Sequence, residues 1–217
     1  MKITALLSLA FITMLAPANA ANLINGFVVA NGDATVVRGT GYTVFHVDTG
    51  KYEVDTVPNI HSCAYSITAG SGDSTVPPVS IATVVGRREN QNAIMVATFD
   101  SSGNYADEGF HLIVRCLDAQ TDGAAVVNPD GSLVRGISAN SATRLGTGSY
   151  QVTFSNGSFS SSCAYTASIG LSGASGVSDA GFINVAAVGS GTIAVRTYDT
   201  NGNAADLGFH VFGACNL

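Results

Sequence analysis

The sequence predicts an all-β protein built of two tandem antiparallel β-sandwiches of the immunoglobulin-like or Greek-key kind, each with one disulfide. A thirteen-residue stretch at 99–111 returns at 198–210 with eight identical positions and no gaps. The four cysteines fall two in each copy. Short apolar runs are separated by turn signals at intervals of about 8–12 residues, which favours a sandwich. A period this long indicates a duplicated domain rather than a short solenoid repeat.

The amino terminus has the pattern of a secretory signal peptide, assigned to residues 1–20. One positive charge at Lys2 precedes an apolar run, and small residues at Ala18 and Ala20 mark the expected cleavage site. The apolar run is too short for a membrane span, and no later segment is long and apolar enough. The pattern predicts a secreted chain, extracellular or periplasmic, with no membrane span.

The composition restricts the partners of the mature chain. Without Lys2, eight basic and fifteen acidic residues remain, so the net charge is −7. An acidic chain repels the phosphates of nucleic acid, which excludes nucleic acid as a partner. Only 11% of residues are charged, so little charge opposes self-association. Self-association, or contact with a cell-surface or matrix component, is therefore expected.

The first copy, assigned to 22–116, provides about seven short strands. The turn signals at 31–33 and 48–50 contain Asn, Asp and Gly, which tolerate positive φ. The run 51–57 alternates, which predicts that Tyr52 and Val54 point inward. The expected strands are 26–30, 42–47, 51–57, 63–69, 79–85, 93–99 and 109–116.

The second copy, assigned to 123–217, follows a linker at 117–122 and retraces the same order. Its early turn is at 128–131, and its late hairpin joins 182–188 to 192–198. The Gly-rich stretches at 70–74 and 170–176 are predicted to be flexible, variable loops.

The cysteine spacing predicts one disulfide in each copy. The separations are 53 residues for Cys63 and Cys116 and 52 residues for Cys163 and Cys215. Four cysteines allow three pairings, and duplication selects these two, because each copy must once have folded alone. Closing a loop of about 50 residues stabilises the fold by about 4 kcal/mol. Zinc is disfavoured because the chain has no C-x-x-C or H-x-x-x-H.

Four motifs of the second copy resemble a module of uncharacterised bacterial secreted proteins and phage tail-fibre-like proteins. They are Gly-Ser-Tyr-Gln-Val-Thr-Phe, Cys-Ala-Tyr-Thr-Ala-Ser-Ile-Gly, Val-Arg-Thr-Tyr-Asp and Asp-Leu-Gly-Phe-His, within about 148–215. The first copy departs from the pattern, with Val-Ala-Thr-Phe at 96–99 in place of Val-Arg-Thr-Tyr. The resemblance implies a surface or fibre-associated β-module and transfers no catalytic residue.

The repeated stretch is the candidate site, and it has two interpretations. Its polar residues could supply the carboxylate and amide oxygens that calcium prefers, although the order is not that of an EF-hand. Alternatively, Asp side chains bond backbone N–H groups of a turn with glycine at positive φ, and this interpretation is favoured. No metal site is assigned. The residues are Asp100, Gly103, Asn104, Asp107, His111, Asp199, Gly202, Asn203, Asp206 and His210.

Histidine and arginine also recur at matched positions. His111 and His210 should lie on the strand face opposite the preceding phenylalanine, hydrogen-bonded to the Asp loop, with a metal or proton site as the alternative. Arg38 and Arg135 precede glycine in both copies, which favours an internal role over ligand binding. His46 is expected at the surface, without a counterpart.

No constellation for catalysis is present. The chain has no G-x-S-x-G elbow, no paired Glu residues and no phosphate-binding Gly loop with Lys, so no enzyme activity and no cofactor are predicted. The sequence therefore favours a secreted structural or adhesive surface protein. The alternative is a small-ligand or carbohydrate-binding module that uses the variable loops 70–78 and 170–181.

Overall fold

The computed structural model describes residues 26–39, 41–56, 59–60, 62–73, 78–116, 123–155, 163–174 and 176–215. The assigned signal peptide and linker lie outside these ranges, so both assignments remain predictions. The described residues form strands and turns without any helix, and hence without a helix suited to crossing a membrane. The all-β prediction is confirmed.

The described residues form sixteen strands in chain order. The first eight are β1 (Gly26–Ala30), β2 (Val36–Gly39), β3 (Tyr42–Asp48), β4 (Lys51–Thr56), β5 (Ala64–Ala69), β6 (Ser80–Arg87), β7 (Ala93–Asp100) and β8 (Phe110–Arg115). The second eight are β9 (Gly123–Val127), β10 (Leu133–Ile137), β11 (Ala139–Gly146), β12 (Ser149–Phe154), β13 (Cys163–Ala174), β14 (Phe182–Gly189), β15 (Thr192–Tyr198) and β16 (Phe209–Cys215).

These strands form three sheets. The N-terminal sheet has the order β2-β1-β8-β5, and the C-terminal sheet has the order β11-β12-β15-β14. The joined sheet has eight strands, β10-β9-β16-β13-β6-β7-β4-β3. The six antiparallel pairings among β1–β8 recur among β9–β16 in the same arrangement. We call β1–β8 the first half and β9–β16 the second half.

Each half has its own hydrophobic core. Strand alternation puts every second side chain on one face, and Tyr52, Val54 and Thr56 are buried along β4 as the pattern predicts. The first core joins residues of the N-terminal sheet to residues of β3, β4, β6 and β7. The second core joins residues of the C-terminal sheet to residues of β9, β13 and β16. Phe110 and Phe209 are fully buried at equivalent places in the two cores.

The first predicted disulfide is confirmed, because Cys63 and Cys116 are bonded. It ties the start of β5 to the end of β8, two neighbouring strands. In the second half Cys163 lies directly opposite Cys215 in the β13–β16 register. The Cys215 side chain lies outside the described part of the chain, so that pairing remains a prediction.

Two strand predictions need correction. The sequence did not predict β2, a four-residue edge strand that ends at Gly39 with φ at +123°. The interpretation of 170–176 as a flexible loop is wrong for its first part, because β13 continues to Ala174. The local composition favours a loop, since glycine is depleted in strands. A long-range partner overrides that preference.

That partner is the edge of β6, and its pairing with β13 joins the two halves. Gly170 pairs with Val84 and Leu171 with Val85, in parallel. An antiparallel protein was expected, and this pairing is the exception. A Cβ on Gly170 would collide with the carbonyl oxygen of Val84. The backbones therefore approach closely where β13 has no side chain.

Candidate functional site

The repeated Asp loops are turns closed by their own side chains. Oδ1 of Asp100 accepts the N–H groups of Ser102 at 2.8 Å and Asn104 at 3.0 Å. These bonds, with the Asn104 side chain, hold the pKa of Asp100 below its usual range. Gly103 has φ at +83°, a conformation that favours glycine. The turn interpretation is confirmed for this loop.

The second loop has the same geometry. Oδ1 of Asp199 accepts the N–H groups of Asn201 and Asn203, both at 2.9 Å, and Gly202 has φ at +80°. Among the described residues, no group of three or more His, Cys, Asp or Glu side chains is arranged to hold a metal ion. The carboxylates accept hydrogen bonds from the loop backbone, as the turn interpretation predicts.

The later aspartate of each loop binds a neighbouring hairpin. Oδ1 of Asp107 accepts the N–H of Gly50 at 2.6 Å, and Nε2 of His46 lies 2.8 Å from the same oxygen. The equivalent Asp206 accepts the N–H of Gly148 at 2.8 Å and both Nε and Nη2 of Arg144.

The register places His46 opposite Tyr52 and Arg144 opposite Tyr150, so these two side chains occupy equivalent positions. His46 is exposed as the sequence analysis expected, and the second copy has an arginine rather than a histidine at its position. Arg144 and the Gly148 N–H lower the pKa of Asp206 to about 2.

His210 lies at the contact between the two halves. The Tyr65 N–H donates to Nδ1 of His210 at 3.0 Å, and Nε2 lies 3.2 Å from the carbonyl oxygen of Leu171. These two bonds assign a neutral ring with the proton on Nε2. The Tyr65 ring stacks on the imidazole at 5.0 Å between centroids. Burial lowers the pKa of His210 to about 3, with a further contribution from Arg135.

The predicted partner of the histidines was wrong. The strand geometry is as expected, since Phe110 and Phe209 point into the cores and the histidines do not. Neither histidine bonds the Asp loop in the described contacts. Nε2 of His111 lies 3.0 Å from the carbonyl oxygen of Ser71, which is the equivalent of the Leu171 bond.

Arg135 also connects the halves. Its Nε donates to the carbonyl of Cys63 at 2.6 Å, and its Nη1 donates to the carbonyl of Ser172 at 2.8 Å. The guanidinium carbon lies 5.7 Å from the centre of the Tyr65 ring, within cation–π range. Nη1 of Arg38 donates to the carbonyl of Gly72 at 3.0 Å. Arg135 therefore has the predicted internal role, with backbone carbonyls as its partners, whereas Arg38 makes one such bond and is exposed.

Ser168 is the contact that the sequence analysis missed. It is buried, and its Oγ accepts the N–H of Ile67 at 2.9 Å and donates to the Ile67 carbonyl at 3.1 Å. A single hydroxyl therefore satisfies both polar backbone groups of one residue at the edge of β5. The signal for this role was weak, because the equivalent residue is Thr68 and no motif surrounds either one.

The contacts of His210, Arg135 and Ser168 define a junction, which the β6–β13 pairing extends. We call the side of β9, β13 and β16 that points away from the core the covered face. It comprises Ala124, Val126, Ser168, His210 and Phe212. Ala64 of β5 packs on this face. On the far side of the joined sheet, Val177 and Ala180 pack against Ile81 and Phe99.

On the equivalent surface of the first half, Phe27, Thr68 and Ile113 are exposed, whereas Val29 between them is only 4% exposed. We call this surface the open face, comprising Phe27, Val29, Thr68, His111 and Ile113 on β1, β5 and β8. A hollow of about 450 Å³ lies over it, and Arg38 contributes to its lining. A second hollow of about 360 Å³ lies between the outward sides of β5 and β13. Neither hollow is lined by the loops 70–78 or 170–181, where the sequence predicted ligand binding.

The resemblance to secreted and tail-fibre-like modules remains a prediction, as do the domain boundaries. No family model, no curated protein and no solved structure matches this chain.

Proposed function

We propose that the chain is a secreted, non-enzymatic structural or adhesive protein of the cell surface or its matrix. In this proposal it consists of two duplicated β-sandwiches, each formed by the two sheets around one core. The strand order supports a sandwich that differs from the antibody constant domain, in which the first and last strands belong to different sheets. Here the first and last strands of each half are neighbours, as in β1 and β8.

The main support for this proposal is the set of hydrogen bonds that the recurrent polar residues make. In both halves the histidine, the arginine and the two loop aspartates are bonded to backbone groups. A catalytic site instead needs a nucleophile, an acid or a base directed at a shared cleft. These residues brace loops and connect the halves, which is the behaviour expected of a structural protein.

Fractionation of cells that produce the protein tests this role. The mature chain, tracked by antibody, should be found in the surface or extracellular matrix fraction. Deletion of its gene should weaken surface attachment or matrix cohesion, and re-expression should restore it. Recovery of the chain from the cytoplasm, or full attachment without it, would contradict the proposal.

A small-ligand or carbohydrate-binding function is the second candidate. The favouring observation is the hollow over the open face, where the aromatic Phe27 lies beside the polar Arg38 and His111. Sugars are commonly bound by such combinations of an aromatic surface and a few polar groups. A glycan array probed with the wild type and with Phe27→Ala decides this question. Binding that disappears in the variant supports it, and an array without hits dismisses it.

A further inference from the structure

The two hollows described above are parts of one groove, because Ile113 and Arg115 line both of them. The floor of the groove is the open face of the first half. Its wall is the outward side of β13 and β16, where Thr166 and Phe212 lie. Ligand pockets are concave and occur preferentially where two structural units meet. The groove is such a place, since one half provides its floor and the other half provides its wall.

The groove is basic although the mature chain has a net negative charge. Arg38 and Arg115 both line it, whereas no described residue that lines either hollow is acidic. Salt screens the acidic residues elsewhere on the surface, because charges more than about 8 Å apart interact weakly at physiological ionic strength. A ligand in the groove therefore meets positive charge, which favours an anion.

The strand register gives the length of the groove. Arg38 pairs with Val29, and Val29 pairs with His111, so Arg38 and His111 lie in one row across the sheet. Arg115 lies four residues beyond His111 on β8, which separates their Cα atoms by about 13 Å. Ile113 lies between them on the same face. The two arginines therefore lie at opposite ends of an apolar floor, which suits an elongated ligand rather than a single small ion.

Both arginines have hydrogen-bonding capacity left for a ligand. Nη1 of Arg38 donates to the Gly72 carbonyl at 3.0 Å, which anchors the guanidinium, and no described hydrogen bond uses its Nε or Nη2. Arg115 makes none of the ion pairs found among the described residues. A guanidinium binds a carboxylate through two parallel N–H···O bonds. Each end of the groove can therefore hold one carboxylate.

The groove also contains groups that suit hydroxyls. Nε2 of His111 lies 3.0 Å from a backbone carbonyl oxygen, so in the neutral ring Nδ1 is an acceptor. In the second half the equivalent Nδ1 of His210 accepts the Tyr65 N–H. Thr68 on the floor and Thr166 on the wall are exposed and can donate or accept. A ligand that fits the groove should therefore carry hydroxyl groups as well as anionic groups.

Phe27 favours a sugar over a peptide strand. Its side chain is 52% exposed on the floor of the groove. In the second half the same register position is Ala124, which is fully buried where Ala64 of β5 packs. A strand docked on the open face in the manner of β5 would meet the larger Phe27 side chain at that point. An exposed aromatic surface with a few polar groups is instead the combination by which sugars are commonly bound.

We propose that the groove binds an extended acidic saccharide, a chain of sugars that carry carboxylate groups. Arg38 and Arg115 bind two of its carboxylates, a sugar ring packs against Phe27, and Nδ1 of His111 accepts a hydroxyl. This proposal rests on the carbohydrate-binding function proposed above and names the class of carbohydrate. It also fits a structural role, because one polysaccharide chain is long enough to bind several copies of the protein.

Three arginine substitutions test the groove. Arg38→Gln and Arg115→Gln each remove one cation from it, while the side chain keeps a hydrogen-bonding amide. Arg196→Gln is the matched control, because Arg196 is exposed on β15 and lies outside both hollows. Near-ultraviolet circular dichroism and the denaturant midpoint establish that each variant is folded. Arg115→Gln carries the test if loss of the Gly72 bond disturbs Arg38→Gln.

Isothermal titration calorimetry measures binding to hexasaccharides of galacturonate, mannuronate and hyaluronan. At least one of them should bind the wild type and Arg196→Gln equally. Arg38→Gln and Arg115→Gln should bind it about tenfold more weakly, because each loses a charged hydrogen-bond donor. Added salt should weaken the wild-type complex. The methyl ester of the same hexasaccharide, which has no charge, should also bind the wild type more weakly.

Each contrary result has a different meaning. Binding that neither groove variant weakens puts the ligand elsewhere on the molecule and overturns the proposal. Tighter binding of a polyglutamate peptide of equal charge identifies an acidic peptide as the ligand and overturns it as well. Equal affinity for the acid and its methyl ester overturns the role of charge but leaves a carbohydrate-binding function. Absence of binding to every saccharide, charged or neutral, overturns both, while cell fractionation tests the structural role separately.

Discussion

Acid should loosen the junction through His210, and the size of the effect follows from its surroundings. The ring is fully buried, stacks on Tyr65 and is repelled in its charged form by Arg135, so that form is strongly disfavoured. Protonation would also put a proton on Nδ1, which accepts the Tyr65 N–H. The folded pKa of about 3 lies below the ordinary value of 6.5. The unfolded chain therefore binds more protons, and stability falls as pH decreases from about 6.5 towards 3.

Between pH 7 and pH 5 this single group should cost about 2 kcal/mol of unfolding free energy. Nearly all of that comes from protonation of the unfolded chain, so the figure holds for any folded pKa well below 5. We expect His210→Asn to remove this part of the pH dependence, because the Asn oxygen can accept the Tyr65 N–H but does not titrate. The variant should be less stable at pH 7, since it loses the stacking with Tyr65.

Urea unfolding of dilute protein at the two pH values measures this. The unfolding free energy of the wild type should fall by about 2 kcal/mol more than that of His210→Asn, and other titrating groups cancel in the comparison. His111→Asn is the matched control, because His111 is only partly buried at the equivalent position. The same pH dependence in the wild type and His210→Asn would refute a neutral, buried His210.

Three further substitutions test other contacts. Gly170→Ala should destabilise the fold by about 1–3 kcal/mol, because its Cβ would meet the β6 backbone; Gly146→Ala, with open space around it, is the control in urea unfolding. Arg144→Ala should raise the pKa of Asp206 from about 2 towards 3.8. In the wild type, the ionised Asp206 stabilises the fold above about pH 4, and this stabilisation is lost as the pH falls through 2. In the variant the stabilisation should be lost at a higher pH. Carboxyl NMR titration measures the pKa in both proteins. Cys116→Ala should lower the unfolding free energy by about 4 kcal/mol, and an unchanged denaturation midpoint would contradict that.

The sequence was informative wherever structure depends on near neighbours. The alternation from Lys51 to Thr56 specifies which side chains enter the core, since strand geometry permits only two faces. The Asp100 turn could be predicted because the N–H groups that its carboxylate accepts belong to Ser102 and Asn104, only two and four residues further along the chain. The Cys63–Cys116 bond follows from the duplication, because both cysteines lie within one half.

The junction could not be read from the sequence, because it depends on contacts between distant residues. His111 and His210 share the sequence Gly-Phe-His, yet only His210 is fully buried. Their difference arises from what docks on each face, which no local pattern encodes. The glycines after Ile169 favour a loop by composition, but at Gly170 the missing side chain permits the close approach of β6.

The dependence of β5 and β6 on the second half has a consequence for biosynthesis. Chains are made from the amino terminus, and domains generally fold as they emerge. The first half can therefore fold before β13 and β16 exist, with two strand edges bare in the interval. Slow translation or stalling beyond residue 116 would lengthen that interval and favour aggregation of nascent chains.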